Sequence, residues 1–501
     1  MKCWFQLRRR VTLRVLLCSF AQGYGGIACS IMAKFKVQQL SYDLTPVAGL
    51  ALVGHLLGAL SAQFKRIDEA APVGGGSGIA TSDVVRSYLG LLAQGKSDFD
   101  AIENFRNDTF YQAALSLAQV PSSPTLRQRL DARASALFEV VPEMIEALLA
   151  SQRPDYGVLP CGWLPLDVDT FAMDNSGTAK EGVGRTYAGV DGYCPLAAYL
   201  GSHGFCLELA LRPGQQHSVR ETDFNLERLV PMAQRLSQRE RKTPILARLD
   251  SGFDSAALMR SLHGHNQPGL PAVDWLIKWN PRTTDVKAVW EQLKAADSTI
   301  WCECRDGKRL TVWEQAVLIE GITGAGAGIA PGDFVGPPRP MRRVLRLTER
   351  SIDKHGQVLL EPELEIEGWT TSLPVRIRPA QVIALYADHG THEQFHSEFK
   401  TDLDLTRLPS GKFDTNYLIC QLAALTMNIL RLIGQGGLTG PDAPVRHPAK
   451  RRRLKTVLQE LIYKAGRLIE HGRQLILGLG ANDRAAAAFE RLHKQFQAAS
   501  G

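Results

Sequence analysis

LPLDVDTFAMDNSGTAKEGVGRTYAGVDGYCPLAAYLGSHGFCLELALR, residues 164–212, decides the fold. LPLDVDTFAM reads as a strand, and YCPLAAYLG and GFCLELALR as two more, the last two joined by a tight turn at Ser202–Gly204. Helical periodicity returns over 221–238. ILARL (245–249) is a short buried strand ending in Asp250, a helix follows near 254–263, and VDWLIKW (273–279) is another strand.

Three antiparallel strands, helix, strand, helix, strand is the order of a ribonuclease-H-like α/β core, placed at 159–282. Residues 32–158 read as a helical N-terminal region, either a DNA-binding region that meets phosphates through Arg127 and Arg129 or, equally from spacing alone, a plain helical domain, with PVGGGSG (72–78) a flexible interruption. Residues 283–375 read as a β-rich insertion with a Gly/Pro-rich break at 321–340. The core resumes over 376–433 with a helix carrying Glu393 and the apolar core helix NYLICQLAALTMNILRLIG. Residues 434–501 read as a Gly/Pro linker and a basic amphipathic helix, KRRRLKTVLQELIYKAGRLIEHGRQLI. Residues 1–31 imitate a secretory signal, yet Arg14 interrupts the apolar region and MAKFKVQQLSYDLTP from Met32 reads as a natural start. The segment is read as the upstream part of an over-long reading frame.

At 501 residues, 45% hydrophobic and 22% charged, the composition is globular, and the net charge of +7 suits nucleic-acid binding without requiring it. Nine cysteines include no CxxC; Cys302 and Cys304 form a lone CxC, short of a four-ligand zinc site, so the thiols read as reduced in a cytoplasm. No apolar sequence run reads as a membrane span.

Asp169 lies in the first strand of the proposed core, Asp250 follows the fourth, and Glu393 lies on the late helix. In a ribonuclease-H-like core these places converge at one sheet edge. Two carboxylates about 4 Å apart repel by roughly 4 kcal/mol at an effective dielectric near 20, so such a trio needs cations. Oxygen-only ligands select Mg²⁺ or Mn²⁺, and two such ions suit phosphodiester displacement. Asp167 shares the strand face with Asp169, and either reads as the first ligand, Asp169 being preferred. Tyr386, His389, Glu393 and Lys400, at offsets 3, 7 and 14 from the tyrosine, fall on one helical stripe. On its own that stripe reads more simply as a solvated face. Glu398 and Asp402 read as solvated, with Glu398 a lesser rival to Glu393. Lys278 and Arg282, at the end of the last core strand, and Arg451, Arg452 and Arg453, in a compact basic cluster, are candidate phosphate contacts.

LDVDTFAMDNSGTAKEGVGRTYAGVDGYCPLAAYLG, ILARLDSGFDSAAL, WLIKWNPR and EQFHSEFKTDLDLTRLPSGKFDTN resemble the DDE transposases of bacterial insertion sequences, closest to the insertion-sequence 1380-type branch of the insertion-sequence 4 superfamily. The resemblance runs from about Met32 to the C-terminal region. It implies a catalytic triad of Asp169, Asp250 and Glu393 holding two Mg²⁺ or Mn²⁺ ions. It also implies a Tyr-Arg-Glu-Lys signature on Tyr386, His389, Glu393 and Lys400, with His389 where arginine is usual. A neutral, shorter histidine puts the phosphate contact there in doubt. An inserted β domain in related enzymes carries a base-stacking aromatic; Trp369 and Trp313 are the candidates, though each reads more simply as a core residue. The implied partners are double-stranded DNA with terminal inverted repeats, target DNA and a second copy of the chain, with no membrane, in a bacterial cytoplasm at the nucleoid.

Two rivals remain. One is a DNA-binding protein derived from a transposase that has lost catalysis. The other is a zinc hydrolase built on HEQFH, where His392 and His396 stand i, i+4; this leaves Asp169 and Asp250 unexplained.

Overall fold

The computed structural model describes residues 36–39, 42–74, 78–240, 242–319, 341–472 and 474–499. The signal-like segment 1–31 and the break at 321–340 lie outside the described residues. Tyr42–Gly501 form one compact unit.

Its frame is a nine-stranded sheet. The strands are β1 (Leu164–Thr170), β2 (Leu196–Leu200), β3 (Phe205–Ala210), β4 (Ile245–Leu249), β5 (Val273–Trp279), β6 (Cys302–Arg305), β7 (Lys308–Val317), β8 (Met341–Ile352) and β9 (Val358–Thr371). They lie in the order β6-β7-β8-β9-β5-β4-β1-β2-β3. β1, β4 and β5 run parallel, while β2 and β3 form an antiparallel hairpin beside β1. Parallel strands need covering on both faces, and β1 and β4 are buried along their whole lengths. The helix Thr222–Glu240 makes the crossover between β3 and β4, and Ala256–Gly264 the one between β4 and β5.

The β-rich stretch 283–375 carries on the same sheet. β9 pairs antiparallel with β5, from Gly368↔Trp279 to Thr371↔Leu276. The N-terminal helices Leu50–Gly58, Ser61–Ala70, Thr81–Leu92 and Val140–Gln152 share one hydrophobic core with the sheet and with the helix Phe413–Leu438. That last helix is long and apolar enough to cross a membrane, but 94% of its apolar window is buried inside the protein. Its Asn428 side chain bonds both backbone groups of Cys206 at 2.8 and 2.7 Å, a strand-like grip on edge strand β3.

The C-terminal region departs from the expected long basic helix. A helical turn, Leu454–Val457, widens to a π turn at Leu458–Ile462 and stops. GRLIEH and QLILGL then pair as a hairpin, Gly466–His471 with Gln474–Leu479, and Leu44–Thr45 adds a third strand. The chain leaves the helical run at Tyr463, and two glycines then serve the hairpin. A Cβ on Gly466 would lie 2.8 Å from Leu477 Cδ1, and Gly472 turns the hairpin at φ +63°.

Gly204 ties the fold to the site. It closes the β2–β3 turn at φ +70°, and a Cβ there would fall 2.4 Å from the Phe395 ring. Phe395 belongs to the helix that carries Glu393. Gly204→Ala is expected to cost roughly 2–5 kcal/mol, from left-handed strain plus overpacking. Urea unfolding of the variant and the wild type reads the difference.

Candidate active site

The site begins with a pair that the sequence did not disclose. Asp167 on β1 stands in register with Arg248 on β4. The guanidinium grips the carboxylate at two points, Nε to Oδ1 at 2.6 Å and an Nη to Oδ2 at 2.8 Å. Both side chains are buried. A remaining Nη of Arg248 donates to Leu385 O at 2.7 Å and to Asp388 at 3.0 Å, reaching the helix Pro379–His389. His389 Nδ1 completes the group 2.9 Å from Asp167 Oδ1. Burial pushes the Asp167 carboxyl up, but Arg248 and His389 overcome it and hold it far below the usual carboxylate range.

Asp169 lies two residues beyond Asp167 on β1 and shares its sheet face, while Asp250 lies just past the end of β4, two residues beyond Arg248. Asp250 Oδ1 accepts from Gly252 N at 2.8 Å. Burial, then the charge of Asp169, raises the Asp250 carboxyl above its ordinary value. Burial also opposes ionisation of Asp169, but the His392 hydrogen bond and the charges of His396, His392 and His389 together outweigh it, and the net shift is downward. His392 Nε2 lies 2.6 Å from Asp169 Oδ2.

Tyr386, His389, Glu393 and Lys400 do not share one straight helix, contrary to the stripe read from their spacing. The helix Pro379–His389 closes at Gly390 with tight i→i+3 bonds, Gly390 N to Ala387 O and Thr391 N to Asp388 O, both 3.2 Å. A second helix, His392–Ser397, follows, and Glu398–Asp402 widen into a π turn. The overwound turn rotates the stripe. His389 points into the sheet and His392 onto Asp169, while the Glu393 side chain is 73% exposed at the mouth. Asp169, Glu393, His392 and His396 bring one ligand atom each within 4.8 Å of one another.

Other expected residues fall into two groups. Tyr386 packs beside His389, ring centroids 5.5 Å apart, and the Lys278 ammonium sits 5.8 Å from the Tyr386 ring centre while pairing with Glu367 at 3.0 Å. Burial, then the charges of Asp250 and Asp169, push the Tyr386 phenol well above its usual value. Lys400 lies 5.5 Å over the Phe171 ring, just past β1. Arg282 is exposed beyond β5. These stand around the carboxylates or near the same strand ends.

The arginine cluster sits elsewhere in the bonding scheme. Arg451 pairs with Glu398 at 2.7 Å, Arg453 with Asp402 at 2.9 Å, and Arg452 donates to Leu438 O at 2.8 Å. Glu398 and Asp402, read as solvated, are buried. Arg431 also holds Glu398 at 2.7 Å, and the two carboxylates accept from Leu454 N and Lys455 N, at the start of the next helix. The three arginines thus close the fold around the π turn. Trp369 is 2% exposed in a hydrophobic cluster, so its ring offers no face to a base; Trp313, on β7, is half-buried.

The sequence reading missed Arg248, the approach of His392 and His396 to Asp169, and Tyr187. Tyr187 is exposed in the loop before β2, with its hydroxyl 3.3 Å from Thr170 O. Although the residue as a whole is exposed, desolvation at its hydroxyl, then Cys194 and the site carboxylates Asp169, Glu393 and Asp250, push its phenol up to about 12. The matched i, i+2 spacing of Asp167–Asp169 and Arg248–Asp250 was the available signal for Arg248.

The donor chemistry fits a divalent cation. Asp169 and Glu393 bring carboxylate oxygens together, Asp250 is near enough to feel the Asp169 charge, and His392 is the close partner of Asp169 at 2.6 Å and lies 4.0 Å from Glu393. Asp169, Asp250 and Glu393 are oxygen donors of the kind that hold Mg²⁺ or Mn²⁺.

Residues 80–299 match the family model described as Transposase DDE domain group 1, a span that includes Asp169 and Asp250 and ends before Glu393. No curated protein matches the chain. Among solved structures the chain is similar to one described as a cryo-EM structure of the piggyBac transposase synaptic complex with hairpin DNA. The identity is 10% and the TM-score 0.36, over 91% of this chain and 85% of that one. The family match supports a DDE transposase domain in this chain.

Asp167→Asn leaves the Arg248 charge buried against a neutral partner and is expected to cost about 3–5 kcal/mol at pH 7. Because the folded carboxyl titrates below its unfolded value, the wild-type advantage is present above about pH 4 and shrinks as pH falls further. Urea titrations of both proteins from pH 7 to pH 3 measure the gap and its narrowing.

Proposed function

We propose that this protein is a DDE transposase that cuts DNA at the ends of a mobile element and joins the freed 3′ ends to target DNA. The observation that carries the reading is the convergence of Asp169 and Asp250, at adjoining ends of two parallel strands, with Glu393 on the helix facing them. The strand order β3-β2-β1-β4-β5 supports a ribonuclease-H-like core beneath them, and the match over 80–299 supports the family. The finer placement, in the insertion-sequence 1380-type branch, rests on the sequence resemblance.

In this reading Asp169, Asp250 and Glu393 hold the divalent cations, Mg²⁺ or Mn²⁺, two in number. When bound, these activate the attacking oxygen and stabilise the leaving one. The protein's own residues do the rest. Asp250 and Asp169 stay fixed because their strands are locked one pleat below by Arg248 and Asp167. Glu393, exposed at the mouth, adapts to the bound strand. Tyr386, Lys278 and Lys400 flank the carboxylates, and the two lysines supply positive charge for the phosphates on either side of the scissile bond. In the first step a water oxygen forms the new bond to phosphorus and the 3′ oxygen leaves as a hydroxyl. In the second, that hydroxyl attacks a target phosphodiester, and one P–O bond replaces another without a covalent protein–DNA link.

His389 bears on the rival reading of a catalytically dead derivative. It lies on Asp167, buried, so replacement of the usual arginine here alters an internal strut rather than an exposed phosphate contact. The partners in this proposal are duplex DNA bearing terminal inverted repeats, target DNA and a second copy of the chain. The compartment is the cytoplasm of a bacterial cell.

The test uses a plasmid carrying the reading frame with its native flanks, purified full-length protein, and Mg²⁺ or Mn²⁺. Wild type is expected to release the element. Asp169→Asn, Asp250→Asn and Glu393→Gln are each expected to lose several kcal/mol of transition-state stabilisation, about a thousandfold or more in cleavage rate, while end binding persists. Wild-type protein that binds these ends yet never cuts them removes the enzyme from the account.

A further inference from the structure

We infer that His392 and His396 join Asp169 and Glu393 in a mixed nitrogen–oxygen site that takes a first-row transition-metal dication, of the Mn²⁺, Fe²⁺, Co²⁺ or Zn²⁺ class, in preference to Mg²⁺. The inference deepens the reading of this centre as metal-dependent and rests on that reading for its role in DNA cleavage.

His396 carries the argument. It is 1% exposed, and neither ring nitrogen has a hydrogen-bond partner. A buried polar group left without a protein partner costs on the order of 1–3 kcal/mol, and beside two carboxylates a bound cation is one way to meet it. The imidazole is held in place by stacking on Phe171, centroids 4.2 Å apart, and by an edge contact with His392 at 5.0 Å. It therefore presents a lone pair in a fixed place beside two carboxylates.

His392 is arranged in the same sense. Its Nδ1 faces the carbonyl of His389, which fixes the proton on that nitrogen and turns Nε2 toward Asp169. A backbone carbonyl on one ring nitrogen, with the other directed into a donor cluster, is how metal-binding histidines are oriented. At 2.6 Å Nε2 is placed to share a proton with Asp169, and a metal ion would take that proton's place.

The geometry is close to what an ion needs. The four donor atoms lie within 4.8 Å of one another. Two ligands on opposite sides of one ion stand roughly 4.4 Å apart at bond lengths of about 2.2 Å. Exposed Glu393 has the rotamer freedom to close the difference. Imidazole nitrogen suits the transition metals, whereas Mg²⁺ favours an all-oxygen shell, so two histidines shift selectivity away from Mg²⁺.

The test uses metal-stripped full-length protein. Co²⁺ is titrated in and followed by its visible absorption, with Mg²⁺ as competitor, and the Mn²⁺-loaded protein is examined by pulsed electron paramagnetic resonance. Mg²⁺ is expected to displace Co²⁺ only at about a hundredfold excess or more, and Mn²⁺ to show coupling to imidazole nitrogen. His392→Ala and His396→Ala are each expected to weaken Co²⁺ binding by about tenfold or more. The nitrogen coupling is read on wild type, so it decides the matter even if a buried histidine variant fails to fold. Co²⁺ bound no more tightly than Mg²⁺, or Mn²⁺ without nitrogen coupling, overturns the inference. If plasmid release then proceeds with Mg²⁺, the transposase reading survives alone. Nitrogen-coupled binding without cleavage by any of these metals keeps the site and removes the transposase.

Discussion

A buried arginine–aspartate pair organises the centre. Arg248 and Asp167 face each other across two parallel strands, and the same guanidinium reaches the carbonyl of Leu385 and the carboxylate of Asp388. One side chain thus fixes the relative position of β1, β4 and the helix that leads into the site. Burying such a pair gains little net stability, but removing one partner leaves a bare charge in the interior. Its value is positional. Any slip between β1 and β4 would separate the two charges and displace the carboxylates above them.

Those carboxylates follow from strand geometry. Side chains two residues apart share a sheet face and stand roughly 7 Å apart along the strand. The Asp167–Arg248 layer therefore determines where Asp169 and Asp250 emerge. The lower layer is neutralised internally, whereas the upper one gathers negative charge, which burial and mutual repulsion express as the raised Asp250 carboxyl. The break at Gly390 supplies the third member. By overwinding one turn, the chain sends His389 down to the lower layer and His392 to the upper, and leaves Glu393 facing outward. Behind them the Glu398 and Asp402 carboxylates, each bound by arginines, brace the π turn against the C-terminal region.

Much of this was legible in the sequence because the core strands are short, apolar and punctuated. ILARL and VDWLIKW form over the residues read for them, and Ser202–Gly204 makes the turn it promised. What escaped was set by tertiary contact. Asp167 and Asp169 alternate identically, and only the arginine on the facing strand separates a clamp from a candidate ligand. The arginines of KRRR looked like a surface patch, since nothing local shows that Glu398 and Asp402 are buried opposite them. The run after Tyr463 has enough helical character to read as a helix; pairing with Leu44–Thr45 and the turn at Gly472 make it a hairpin. For Trp369 the simpler reading as a core residue agrees with its burial, since its neighbours on β8 and the Tyr386 helix enclose it.

The central claim is that these carboxylates form one cation-binding centre above the Arg248–Asp167 clamp. Anomalous diffraction from crystals of the full-length protein soaked in Mn²⁺ tests it most directly. The account predicts a manganese peak within bonding distance of the Asp169 carboxylate and of at least one of Asp250 and Glu393, absent from crystals of Asp169→Asn. A well-ordered site with no anomalous density there, or manganese bound only at other carboxylates, would contradict it.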